Sequence, residues 1–170
     1  RDAGTAVTAE TVRTAFPDIP GVQLPQSPNR LFVQDHGEDF GRGLQLLEPP
    51  VEDGDREYAV LMPSVDADGN DLPGIRGPNL AVPRATYTGW NFRRLGEAQE
   101  SMCAVYGSYL PFAVTEDQRG RDPRPSCESR YPQHEDYVSA LEQAARALVE
   151  QRLLLEEDAQ RFVEKAWQGS

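Results

Sequence analysis

The sequence predicts an α+β chain in two stretches: an irregular, proline- and glycine-rich region with a β-hairpin over residues 1–125, then a helical hairpin over residues 126–170. Three observations predict it. Two apolar runs, Tyr58–Met62 and Leu72–Ile75, flank a tight Asp68-Gly69-Asn70 turn, the pattern of a strand that doubles back. All 14 prolines fall at or before Pro132, and proline breaks helix interiors and central strands alike. Beyond Pro132 the apolar residues recur at helical spacing. The two stretches are expected to form one packing unit.

Taken in order, residues 1–26 read as a polar lead-in with one short helix over Thr8–Phe16. Thr8 is its N-cap and Thr11 the reciprocal residue. The helix stops before Pro17, because a residue preceding proline resists the helical region. Leu31-Phe32-Val33 and Leu44-Gln45-Leu46-Leu47 read as short extended runs, with Gly37, Gly41 and Gly43 breaking the chain between them. Met102–Leu110 is apolar enough to be buried, but its period fits helix and strand alike. Thr115–Gln118 has capping-box form and starts a short helix. Pro132 suits the first turn of the next, with Glu135 and Asp136 near its positive end and Tyr137, Leu141, Ala144, Ala145 and Leu148 along one face. The last helix spans Glu156–Trp167, where Ala159, Phe162, Val163, Ala166 and Trp167 form the apolar stripe. Leu153-Leu154-Leu155 links the two and is expected to be buried.

Length and charge narrow the function. The chain has 170 residues, enough for one domain, but only 38% are hydrophobic. A segment of that kind closes a core with difficulty, so it is either a loop-rich domain or a piece draped over a larger body. Arg1, not Met, opens the chain, and a processed or excerpted polypeptide is expected. The formal net charge of −11 argues against nucleic acid and against anionic lipid as partners. No apolar run reaches the ~20 residues of a membrane span. Cys103 and Cys127 are read as small buried thiols in preference to a disulfide.

No complete catalytic or metal motif stands out. Asp66, Asp68 and Asn70 have the alternating oxygens of a calcium loop, yet Asp71 and Gly77 occupy the positions where such a loop requires glycine and glutamate. A hairpin turn is the preferred reading. The chain holds no G-x-S-x-G pentapeptide; Gly107-Ser108 comes nearest, with Leu110 in place of the second glycine, so Ser108 reads as a structural hydroxyl. Of two histidines, His134 opens an exposed helix, while His36 lies among Asp35, Glu38 and Asp39 without a nucleophile beside it. Two histidines and two scattered cysteines make no zinc site, and Gly74–Pro78 is too short for a phosphate loop. No metal and no cofactor is expected. Arg76 reads as the partner of a local acid. Tyr87, Trp90 and Asn91 beside Gly89 read first as packing and second as one wall of a ligand pocket.

The run PSVDADGNDLPGIRGPNLAVPRATYTGWNFR resembles a region near the C-terminus of bacterial alpha/beta-hydrolase-domain proteins, esterase-type members of that superfamily. The likeness extends upstream through Phe16–Val22 and downstream through Gly107–Phe112, Asp122–Ser126, Arg130–Pro132 and the two last helices. Cys127, where an aliphatic residue is expected, and His36 are departures that add no catalytic role. The resemblance implies an accessory C-terminal portion of a serine hydrolase. Its nucleophile and histidine would lie in a preceding N-terminal hydrolase portion, which is both the implied partner and the route to a small-molecule ester. It assigns no catalytic residue to this chain. The alternative, of another class, is a free-standing non-catalytic binding or interaction module.

Overall fold

A computed structural model describes residues 5–24, 31–91 and 107–169. Along the chain run β1 (Ala6–Thr8), α1 (Ala9–Ala15), β2 (Phe32–Asp35), a 3-10 turn (Phe40–Arg42), β3 (Val51–Glu57) and β4 (Leu61–Pro63). They are followed by α2 (Pro78–Ala81), β5 (Ala85–Thr88), β6 (Ser108–Pro111), α3 (Glu116–Arg119), α4 (Cys127–Arg130), α5 (His134–Glu150) and α6 (Glu156–Trp167). The described strands form three antiparallel pairs, β1–β4, β2–β3 and β5–β6. The mixture of small sheets and helices agrees with an α+β chain. Among the described residues no helix is long and apolar enough to cross a membrane.

Several elements follow directly from local chemistry. The Thr8 hydroxyl accepts the Thr11 N–H at 3.3 Å and caps α1, which ends at Ala15 ahead of Pro17. Gln133 and Asp136 form a reciprocal capping box at the start of α5, with the Gln133 N–H donating to Asp136 Oδ2 at 2.9 Å. Helix α5 therefore begins at His134, and Pro132 lies before the cap instead of in the first turn. Helix α3 forms where the Thr115 motif places it, but the Thr115 side chain makes no capping bond.

The expected hairpin contracts to its turn. The Asp66 N–H donates to Asn70 O at 2.8 Å and the Leu72 N–H to Ser64 O at 2.8 Å, with Gly69 at φ +82°. Pairing then stops, since Pro63 and Pro73 have no N–H to extend the ladder. The apolar run before the turn pairs elsewhere, as β4 on β1, with Val7 opposite Met62. The run Leu44–Leu47 forms no strand; the Leu46 and Leu47 N–H groups both donate to His36 O. Strand β3 arises instead from Val51–Glu57, a polar stretch that gives no strand signal.

The core lies between the helical hairpin and α2. Val82, Tyr137, Val138, Leu141 and Ala166 form one buried cluster, with Phe162 and Val163 packed against it. The link between α5 and α6 is more open than expected: Leu153 is 46% and Leu155 63% exposed. The turn there uses Arg152 at φ +61°. Cys127 is a free thiol, and Cys103, together with residues 92–106, lies outside the described residues.

Candidate functional site

The most developed polar structure in the fold surrounds the start of β5. Asn70 is fully buried, and its side chain serves the strand directly: Oδ1 accepts the Tyr87 N–H at 2.7 Å and Nδ2 donates to Ala85 O at 3.2 Å. Thr86, also fully buried, donates its hydroxyl to Asp68 O and accepts from Arg124 Nη1, the latter at 2.8 Å. Arg124 is 3% exposed and its bonds are saturated. It grips Asp122 through Nε at 2.9 Å and Nη2 at 2.6 Å, and donates to Leu110 O at 3.0 Å. Burial pushes the Asp122 carboxyl up, but the Arg124 bonds and charge outweigh it and hold it below its ordinary value. Both Arg124 and Arg130 lie over the Phe112 ring, at 5.1 and 4.5 Å.

The Asp66–Asn70 turn is committed to this network. Asp66 Oδ1 accepts the N–H groups of Asp68 at 3.0 Å and Asn70 at 2.9 Å, and Oδ2 accepts Arg76 Nη2 at 2.7 Å. Asp68 pairs with Arg130. The three residues that spaced like calcium ligands are thus engaged by arginines and by backbone. Among the described residues no group of three or more His, Cys, Asp or Glu is arranged to hold a metal. Arg76, as expected, meets a local acid, and it also donates to Leu80 O at 2.7 Å.

Tyr87 and Trp90 occupy separate aromatic pairs. Tyr87 on β5 sits opposite Tyr109 on β6, ring centroids 5.4 Å apart, and burial raises its phenol. Trp90 packs on Phe16 at 5.5 Å, and its carbonyl accepts the hydroxyls of Thr88 and Ser108. Asn91 is half-buried at the last described position before residue 92. Ser108 donates to that carbonyl at 3.1 Å, and its own N–H donates to Thr88 Oγ1 at 3.0 Å. Its hydroxyl joins β6 to the segment after β5, the structural part the sequence suggested.

A family model described as an alpha/beta hydrolase domain matches residues 20–164. The chain belongs to the alpha/beta hydrolase domain family. Comparison with curated proteins and with solved structures returns no match. For a hydrolase-domain chain the histidines are the natural place to seek a base. His36 is half-buried and stacked on Phe40 at 4.3 Å, with Nδ1 enclosed and without a hydrogen-bond partner. His134 is exposed, its ring 5.9 Å from that of Trp167. Among the described residues neither histidine hydrogen-bonds Ser108, whose hydroxyl donates to Trp90 O.

What the sequence did not reveal in this hydrolase-domain chain is the centrality of Asn70, Asp122 and Arg124. The run Asp122-Pro123-Arg124-Pro125 held the one available signal: prolines fix an extended backbone around an acid and a base two apart, which places both on one side.

Proposed function

We propose that this chain is the accessory C-terminal portion of a serine-type, esterase-like alpha/beta hydrolase, catalytically incomplete by itself. One observation carries the reading: the family match runs over residues 20–164, yet the sequence has no G-x-S-x-G elbow. The fold supports it from a second side. An alpha/beta hydrolase places its nucleophile on a strand-to-helix turn of its sheet, whereas the described strands make only antiparallel pairs. Among the described residues around β5, Asn70, Thr86, Asp122, Arg124 and Ser108 spend their polar groups on hydrogen bonds within the fold.

In this reading the chain packs on a hydrolase sheet encoded ahead of it, and that portion binds a small ester. Tyr87, Trp90 and Asn91, each half-buried, contribute one wall of the pocket. The exposed Leu31, Phe40, Leu44, Leu46, Val51 and Tyr58 supply apolar surface for the contact. The coding sequence upstream of Arg1 tests the proposal. A reading frame that carries a G-x-S-x-G elbow supports it, and an initiation codon immediately before Arg1 refutes it.

A free-standing, non-catalytic binding module is the second reading. The observation that favours it is the closed cluster of Val82, Tyr137, Val138, Leu141 and Ala166, a core made entirely within this chain.

A further inference from the structure

The β2–β3 ribbon has no core of its own. Across residues 31–58 not one residue is buried, and β2 and β3 pack on each other with no comparable contact to another described element. The segment is nevertheless well formed. Its far end is a closed hook: the Leu46 and Leu47 N–H groups donate to His36 O at 3.0 and 3.2 Å, and the His36 ring stacks on Phe40. Val51 is the register partner of Asp35, the residue before His36. Phe40, Leu44, Leu46 and Val51 therefore gather on this hook, each more than half exposed. A two-stranded ribbon without a covered face is marginal in water, and apolar side chains grouped in the open mark a contact surface.

Charge says what that contact is. Residues 31–58 hold eight carboxylates and two arginines, a net −6 within the chain's −11. Arg42 and Arg56 are taken by Asp39 and Asp53 of the ribbon itself. Glu38, Glu52 and Asp55 are exposed and form no ion pair among the described residues. Like charge disfavours a second copy of the ribbon as the occupant. Strand addition is disfavoured too, since the ladder shifts register between Phe32 and Val33 and β3 is lined with acids, both of which blunt a sheet edge. The family match over residues 20–164 runs across the ribbon, which makes it part of the hydrolase domain. We propose that the hook docks in an apolar recess of the preceding hydrolase portion, edged by arginine or lysine, and that the acids of the ribbon pair with those cations. This docking rests on the accessory role proposed above and adds to it the charge of the opposing face.

The test is amide hydrogen exchange of residues 31–58 in this chain and in the complete polypeptide encoded by its reading frame. Ribbon amides are expected to be at least about tenfold better protected in the complete polypeptide, and the gain should shrink in about 0.5 M salt. Glu38→Gln, Glu52→Gln and Asp55→Asn combined should remove most of the gain. Glu150→Gln, Glu157→Gln and Glu164→Gln, at exposed positions of the helical hairpin, should leave it unchanged. Leu44→Ser tests the apolar half separately and should also reduce the gain, which keeps the test decisive if the triple variant of the ribbon does not fold. In a complete polypeptide that carries a G-x-S-x-G elbow, no added protection would overturn the docking and leave the hydrolase reading standing. A gain indifferent to salt, or lost equally in both triple variants, would do the same. Protection that rises with protein concentration would overturn it by assigning the hook to a second copy. An initiation codon immediately before Arg1 would overturn the docking and the hydrolase reading together.

Discussion

The Asn70 carboxamide stands beside Tyr87 as a neighbouring strand would: it accepts the Tyr87 N–H at 2.7 Å and returns a hydrogen bond to Ala85 O at 3.2 Å. One side chain thereby satisfies two backbone groups of β5 on the edge that β6 does not cover. Asn70→Ala leaves both unpaired in a buried setting and is expected to cost about 2–6 kcal/mol, at roughly 1–3 kcal/mol per orphaned group. Asn70→Asp keeps the acceptor but loses the donor to Ala85, and should also destabilise. Urea unfolding of the two variants measures both, with Ala the more damaging.

The acid limb of stability should report Asp122. Its carboxyl is held below the ordinary value, so its contribution is present above the unfolded carboxylate range, near pH 4, and lost as pH falls through the folded value. Asp122→Asn leaves Arg124 buried without its anion and is expected to cost on the order of 3 kcal/mol at pH 7. The variant's stability should also fall less steeply below pH 4. Melting temperatures from pH 2 to pH 7 provide the measurement.

Asp71 works in the opposite sense. Burial, followed by the nearby Asp66 charge, raises its carboxyl. Such a group favours the fold at low pH, and that contribution disappears as pH rises through its folded value. Asp71→Asn is therefore expected to raise the melting temperature at neutral pH and to have little effect in acid. Thermal unfolding at pH 3 and pH 7 separates the two.

Gly107 tests the seam between β5 and β6. A Cβ there would lie 1.9 Å from the Thr88 carbonyl oxygen, an approach that requires the backbone to move. Gly107→Ala should cost at least about 1–3 kcal/mol. The loss should appear first as faster amide exchange in Ala85–Thr88 and Ser108–Pro111, ahead of the helical core.

These cases show which parts of the fold were legible in the sequence. Helix α6 occupies Glu156–Trp167, the span its apolar period marks, and α1 starts at the Thr8 cap, because both signals are local. The hairpin turn forms, with Val65 bridged to Asp71, but its outer strand was not legible, because the partner of Leu61–Pro63 is Ala6–Thr8, far away in sequence, and nothing near the turn reveals that pairing. Strand β3 is Val-Glu-Asp-Gly-Asp-Arg-Glu, with no apolar alternation to find, and it forms through its ladder with β2. Asn70 was legible as a turn residue but not as a partner of β5. The Arg124–Thr86 bond joins positions 38 residues apart and is set by tertiary packing alone.

The most direct measurement of the central claim is hydrolysis of short-chain aryl esters by this chain alone, alongside Ser108→Ala. The account predicts no turnover above buffer for either protein, and at most a modest loss of stability for Ser108→Ala from the hydrogen bond to Trp90 O. Turnover by the unaltered chain that Ser108→Ala abolishes would contradict it, since the reactive serine would then lie within these residues.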